Sequence, residues 1–180
     1  MNRLISAWEE LLRAAASPDY DEFQDAMFRI ALVLERHNYP NRSIGDIYEE
    51  YLSRDLMRLA LGERQQRDVV DFLVAMARAR RADADTFLYA LARVKPALMI
   101  APLLALIQEW HDKWTPDACY EAAYGLDMAL KAGGDEVVAA FQANDPSDIL
   151  ERWADSTDEA LAERADLALA KLDRLLGGEA

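Results

Sequence analysis

Apolar residues recur at intervals of three and four along most of this 180-residue chain. That spacing places apolar side chains along one side of an α-helix, whereas a half-buried β-strand would need strict alternation. The composition agrees, because Ala occurs 32 times and Leu 25 times, while Val, Ile and Thr together occur only 17 times. Ala and Leu favour helices and β-branched residues favour sheets, so the sequence predicts an all-α protein.

Signals for helix starts and ends divide the chain into short elements. Three pairs place a capping oxygen before a proline, which is tolerated at the first helical position. They are Ser17-Pro18, Thr115-Pro116 and Asp145-Pro146. Two further starts have the spacing of a capping box, from Ser43 to Asp46 and from Ser156 to Glu159. The helix ends are predicted by glycines, at Gly62, Gly133-Gly134 and Gly177-Gly178.

These signals predict about ten short antiparallel helices. Their approximate ranges are 2–16, 18–37, 44–61, 64–81, 83–94, a segment from Pro96 to Trp110, 115–130, two short helices around Phe141 and Trp153, and 157–176. Pro102 is expected either to kink its helix or to mark the true start. Because the connections are short, we expect one domain over 1–180, which could divide into sub-bundles over 1–81 and 83–176. Ten helices favour an open stack of helical hairpins over a closed multi-helical bundle.

One segment supports the stacked arrangement. Residues 115–130, TPDACYEAAYGLDMAL, resemble the proline-opened Ala-Ala-x-x-Leu helix of HEAT-like repeat proteins, and residues 160–176 are similar to it. Together the two segments contain 33 of the 180 residues. It implies an α-solenoid that serves as a protein-binding scaffold, because that family presents concave surfaces to partners. It implies no catalytic residues.

The 33 acidic and 20 basic residues give a formal net charge of −13, which is concentrated in one region. Residues 109–180 contain 17 acids and 6 bases, whereas residues 51–95 contain 6 acids and 9 bases. A negative surface repels nucleic acid and anionic lipid, so we expect neither as a direct partner. It attracts a basic protein, with steering that weakens as the salt concentration rises.

The leading hypothesis is a non-catalytic protein-interaction domain that binds a basic protein through its acidic C-terminal helices. Immunity proteins and antitoxins that block basic nuclease toxins belong to this class of small acidic helical protein, so the chain is a candidate inhibitor of that type. The predicted contacts combine acids with two tyrosines spaced by four. They are Asp117, Tyr120, Glu121, Tyr124 and Asp127.

Three alternatives stay open. The acidic region could be an ordinary solvated surface. The chain could instead self-associate, with the acidic end of one copy meeting a basic band of another, formed by Arg64, Arg67, Arg78, Arg80 and Arg81. The alternative of a different class is an enzyme or small-ligand binder, whose pocket would lie between helices near Trp110, His111 and Trp114. The sequence contains no motif for catalysis, phosphate binding or metal ligation, and we expect no cofactor.

The single cysteine, Cys119, cannot form an internal disulfide, and its helical neighbours predict a buried core position. The chain begins with an amphipathic pattern that contains acids rather than with an apolar signal core. The longest apolar run, Ala97 to Ile107, covers eleven residues, about half of what a membrane span requires. We therefore expect a cytoplasmic protein.

Overall fold

The computed structural model describes residues 3–40 and 46–177. Within these residues it contains eleven α-helices, one short 3₁₀ turn and no strand, which confirms the all-α prediction. The helices are α1 (Arg3–Ala14), α2 (Tyr20–Asn38), α3 (Ile47–Tyr51), α4 (Arg54–Met57), α5 (Glu63–Ala79), α6 (Ala84–Leu91), α7 (Pro96–Trp110), α8 (Pro116–Ala132), α9 (Asp135–Ala143), α10 (Ser147–Ala154) and α11 (Glu159–Leu176).

The helices pack in two layers. In one row α6 contacts α2 and α8, and α8 also contacts α11. In the other row α7 contacts α5 and α9. The rows are joined through the pairs α5–α6, α7–α8 and α10–α11, each of which is consecutive in the chain. Successive helical hairpins therefore lie side by side. The resemblance to HEAT-like repeats itself stays a prediction.

One hydrophobic core runs through the described residues, from Trp8 in α1 to Leu172 in α11. Contacts between α2 and α6 and between α5 and α7 cross the boundary expected between the sub-bundles 1–81 and 83–176. The two segments therefore share one core.

Helix α8 packs very closely against its neighbours at Gly125. A β-carbon placed there would lie 2.7 Å from Leu103 Cδ2 and 3.6 Å from the β-carbon of Ala92. Leu103 belongs to α7 and Ala92 follows the last residue of α6, so the missing side chain lets α8 approach both elements.

The predicted caps agree with the structure in part. Thr115 Oγ1 accepts a hydrogen bond from the Ala118 backbone N–H, as expected from its position before Pro116. Helix α2 begins later than expected, because Asp19 rather than Ser17 accepts the capping hydrogen bond from the Glu22 N–H.

Two further predicted capping residues also lie too early in the chain, Ser156 by two residues and Asp145 by one. Asp158, not Ser156, caps α11 by accepting a hydrogen bond from the Leu161 N–H. Asp145 accepts hydrogen bonds from the backbone and side chain of Ser147, and α10 begins at Ser147. In each case an aspartate near the predicted start makes the local side-chain hydrogen bond, so the exact boundary depends on which oxygen meets the backbone N–H.

The predicted helix over 44–61 is wrong in extent. The described part of this segment forms two short helices, α3 and α4, and Ser53 caps the second one. The predicted capping residue Ser43 lies outside the described residues. Gly62 precedes the first residue of α5 and so marks a start rather than an end.

The remaining helix boundaries agree better with the sequence. Gly133 and Gly134 have φ values of 62° and 100°, which favour glycine, and they end α8 as predicted. Helix α7 begins at Pro96 and continues through Pro102, so the prediction that Pro102 marks the true start is wrong. None of the described helices has both the length and the apolar composition of a membrane span.

Candidate functional site

A cavity of about 470 Å³ opens on the row formed by α2, α6, α8 and α11. Except for Tyr89 in the second half of α6, its lining comes from the first half of each helix or from the capping residue just before it, so the four helices present mainly the same end to the cavity. The lining residues are Gln24, Phe28, Asp85, Thr86, Tyr89, Asp117, Tyr120, Glu121, Asp158 and Ala160.

The cavity carries negative charge that the described residues do not neutralise. Four of its lining residues are carboxylates and none is Lys, Arg or His. Asp158 caps α11, and Asp85 and Asp117 lie in the first turns of their helices, where the helix dipole stabilises a negative charge. Glu121 lies one turn further along α8 and has no such role. In the described part of the chain, Asp85, Asp117 and Glu121 form no ion pair within 4 Å.

Glu121 is the carboxylate most affected by this environment. Its pKa is raised to about 7, chiefly by burial; the charges of Asp85 and Asp117 contribute to the increase, and Arg93 and Arg164 oppose it. Burial also raises the pKa of Asp85, with a further contribution from Asp117. Two effects, burial and mutual repulsion, disfavour the ionised form of these carboxylates. A cation in the cavity would oppose both effects, because it would replace lost water contacts and screen the repulsion.

Two arginines contact the aromatic residues at the cavity. The Arg93 guanidinium lies 3.3 Å from the centre of the Tyr89 ring and donates a hydrogen bond to the Tyr89 carbonyl. The Arg164 guanidinium lies 5.6 Å from the Tyr120 ring centre and 5.2 Å from that of Tyr124. These cation–π contacts restrict the positions of the Tyr89 and Tyr120 rings, both of which contribute to the cavity lining.

Asp127 does not belong to this surface. Its side chain is fully buried and receives Lys131, Arg164 and Lys171. The Lys131 Nζ atom lies 2.6 Å and the Arg164 Nη1 atom 3.2 Å from Asp127 Oδ2, and Lys171 bonds to Oδ1. Burial alone would raise the pKa of Asp127, but the hydrogen bonds from Lys131 and Lys171 bring it below its usual value.

The structure thus divides the five predicted contact residues. Asp117, Tyr120 and Glu121 line the cavity. Tyr124 lies behind it, between Arg93 and Arg164. The prediction that Asp127 contacts a partner is wrong, because this carboxylate ties α8 to α11 inside the domain.

Sequence reasoning missed the half of the cavity that lies on other helices. Phe28 belongs to α2, Asp85 and Tyr89 belong to α6, and Asp158 caps α11. No spacing in the sequence predicts that α2 packs against α6 or that α6 packs against α8. The predicted helix start at Ser156 and Glu159 lies next to Asp158, but it gave no sign that this acid shares a cavity with Asp117.

The alternative pocket near His111 does not offer a free imidazole. Its Nδ1 atom donates to the Ile107 carbonyl at 2.9 Å, and its Nε2 atom accepts from the Arg152 guanidinium at 2.9 Å. The rings of Trp110 and Trp114 are partly buried against the core. Trp110 also lies 3.9 Å from the Arg81 guanidinium, measured to the ring centre. His111 is thus engaged within the chain, whereas the buried indole nitrogen of Trp110 has no hydrogen-bond partner among the described residues.

Most of the predicted basic band is also engaged within the chain. Arg67 pairs with Glu63, Arg78 pairs with Glu109, and Arg80 pairs with Asp83. The Arg81 guanidinium is the one over Trp110. This leaves Arg64 as the member of the band without such a contact among the described residues, which weakens the case for self-association through it.

Two further observations limit the chemistry of the region. Cys119 is buried, as predicted, and burial raises the pKa of its thiol to about 11, so the reactive thiolate is disfavoured. In the part of the chain that the structure describes, no group of three or more His, Cys, Asp or Glu side chains could hold a metal ion. The carboxylates of the cavity are instead spread around its lining.

No protein-family model matches this chain, and no curated protein is significantly similar to it in sequence.

Proposed function

We propose that this chain is a non-catalytic binding protein whose partner is a basic protein, and that the partner docks on the row of α2, α6, α8 and α11 around the cavity at Glu121. The observation that carries the proposal is the cavity lining, which combines four carboxylates with the rings of Phe28, Tyr89 and Tyr120 and contains no basic residue. Aromatic side chains beside unpaired acids are suited to a cationic protein surface.

The charge distribution supports the same partner. Three of the four cavity carboxylates, Asp117, Glu121 and Asp158, belong to the acidic region 109–180, and Asp85 adds a fourth from the more basic central region. Keeping acids together on one face costs stability in the free protein, and a basic partner would offset this cost. An inhibitor of the immunity or antitoxin type, which covers a basic enzyme, is the biological role that fits this chemistry.

Capture from the native lysate with two matched double variants tests the proposal. Capture is carried out at pH 8, where Glu121, with its pKa of about 7, is largely ionised, so that Glu121→Gln with Asp117→Asn removes about two negative charges from the cavity. Glu136→Gln with Glu151→Gln removes two from exposed positions on α9 and α10, outside the cavity lining. Because both variants have the same net charge, any general electrostatic attraction changes equally in the two.

The expected result is a basic protein that the wild type and the control variant retain and the cavity variant loses. Its capture should also weaken between about 50 mM and 500 mM salt, because higher ionic strength screens charge attraction. Equal retention by all three proteins, or equal loss from both variants, would contradict the proposal. Circular dichroism of the variants verifies that each is folded.

A further inference from the structure

We infer that the cavity at Glu121 is an anchor site for a single arginine side chain of the partner. This inference rests on the proposed function and adds the chemistry of the group that enters the cavity. The cavity, at about 470 Å³, falls within the range of small-ligand sites rather than of grooves that accept a helix. It is thus large enough for one long side chain with its neighbouring backbone.

The walls are suited to a planar cation. Phe28, Tyr89 and Tyr120 contribute rings to the lining. The chain itself shows that these rings accommodate guanidinium groups, since the Arg93 guanidinium lies 3.3 Å from the Tyr89 ring centre and the Arg164 guanidinium lies 5.6 Å from the Tyr120 ring centre. Arginine stacks on aromatic faces more readily than lysine, because its guanidinium is flat and less strongly hydrated.

The carboxylates supply the second half of the recognition. Glu121 is partly buried, and no Lys or Arg nitrogen of the described residues lies within ion-pairing distance of it. Asp85 and Asp117 lie on adjacent helices and add to the negative potential at Glu121. A guanidinium has five N–H donors that point in different directions, so one group can donate to carboxylates on both α6 and α8. A lysine ammonium would act as a single point charge.

The charged and titratable groups around Glu121 come from every neighbouring element of the row. They are Asp85 and Tyr89 of α6, Arg93 after α6, Asp117, Tyr120 and Tyr124 of α8, Asp158 before α11, and Arg164 of α11. The two arginines oppose the acids without pairing with Glu121. The site therefore has surplus negative charge that an incoming guanidinium can neutralise.

Three small probes separate charge from shape in solution. They are N-acetyl-arginine amide, N-acetyl-lysine amide and N-acetyl-citrulline amide, the last of which has nearly the shape of arginine but no charge. Each is titrated into the isotopically labelled full chain while backbone amide NMR shifts are recorded. We expect the arginine probe to shift amides around Thr86, Tyr89 and Glu121. The lysine probe should bind more weakly, and the citrulline probe should leave these amides unshifted.

Two variants make the assignment specific. Glu121→Gln should weaken the arginine probe by roughly tenfold or more, the scale expected when a desolvated charge partner is removed. Ala160→Arg places an internal guanidinium at the rim of the cavity and should abolish the shifts, whereas Ala160→Met should keep them because it adds length without charge. Ala160 is exposed, so both substitutions are compatible with folding.

The outcomes separate this inference from the proposed function. If capture of a basic protein depends on Glu121 but the arginine probe shifts no cavity amide, the anchor site is wrong and the wider interface stands. If the arginine and citrulline probes shift the amides equally, the anchor site is also wrong, because charge then plays no part. If the arginine probe binds but no basic protein is captured, the anchor chemistry is supported and the proposed partner class fails.

Discussion

At Glu121, burial and charge both favour the protonated acid in the free protein. Burial raises its pKa to about 7, and Asp85 and Asp117 act in the same direction. In an unfolded chain the same carboxyl would titrate near its ordinary value of about 4.3. Between these two values the folded protein binds more protons than the unfolded one. Stability therefore falls as the pH rises through this window.

We predict that Glu121→Gln stabilises the protein at pH 8 by about 1–2 kcal/mol and has little effect at pH 5. Glutamine resembles the protonated acid, so the variant loses the penalty of ionising a partly buried group. Urea denaturation of both proteins at the two pH values measures the difference. The other carboxylates titrate in both proteins, so their contributions cancel. An equal change at pH 5 and pH 8 would show that ionisation of Glu121 is not its cause.

Among the elements, α8 has contacts on three sides. It packs against α6, α7 and α11, and the buried Asp127 carboxylate receives two cations from α11, Arg164 and Lys171. Its third partner, Lys131, is one turn away on α8 and half exposed. Among the described residues, the Asp127 carboxylate is the negative group that all three cations contact, and the cations would repel one another without it.

We predict that Asp127→Asn destabilises the protein by about 2–4 kcal/mol, because it leaves the three cations facing a neutral amide. This loss of stability is smaller than the loss expected when one partner of a fully buried ion pair is removed, because water reaches all three cations. Asp166→Asn is the matched control, because Asp166 is an exposed acid on α11. Urea denaturation gives both free energies of unfolding. A loss of less than about 0.5 kcal/mol in Asp127→Asn would show that solvent already screens the cations.

Elements and caps were predictable to different degrees. Thr115 and Pro116 predict the start of α8 correctly, because the hydroxyl and the fixed proline φ act on the same residue pair. The start of α2 was displaced because Ser17 and Asp19 both offer capping oxygens, and the aspartate makes the bond to the Glu22 N–H. For the site, the pattern of acids and tyrosines within α8 was enough to single out Tyr120 and Glu121. Phe28 and Asp85 could not be, because contacts between helices distant in sequence leave no local pattern.

At the scale of the whole molecule, the two layers share one continuous core. Trp8 of α1 and Trp153 of α10 belong to the same hydrophobic cluster, although they lie near opposite ends of the chain. Helix α6 contacts α2 and α5 on one side of the sub-bundle boundary and α8 on the other. The loss of either segment would therefore expose apolar surface of its neighbour.

We predict that the described domain unfolds in one cooperative transition. Variants that keep Trp8 or Trp153 as the single tryptophan, with Phe at the other tryptophan positions, report on the two ends by fluorescence. The urea midpoint of each variant is measured by fluorescence and by circular dichroism, and the circular dichroism midpoint corrects for differences in overall stability between the variants. After this correction, the two fluorescence midpoints should coincide. A remaining separation of more than about 0.5 M urea would mean that the two segments unfold independently.

The close approach at Gly125 has a consequence for the cavity on the outer face of α8. This residue sets the distance from α8 to the end of α6, since a β-carbon there would meet Leu103 and Ala92. Tyr120 and Glu121 lie about one turn earlier on the same helix, across the cavity from Asp85 and Tyr89 of α6. The width of the cavity is therefore fixed by an absent side chain on the buried side of the helix. A larger residue at position 125 would act as a spacer, changing which cations fit without touching the cavity lining.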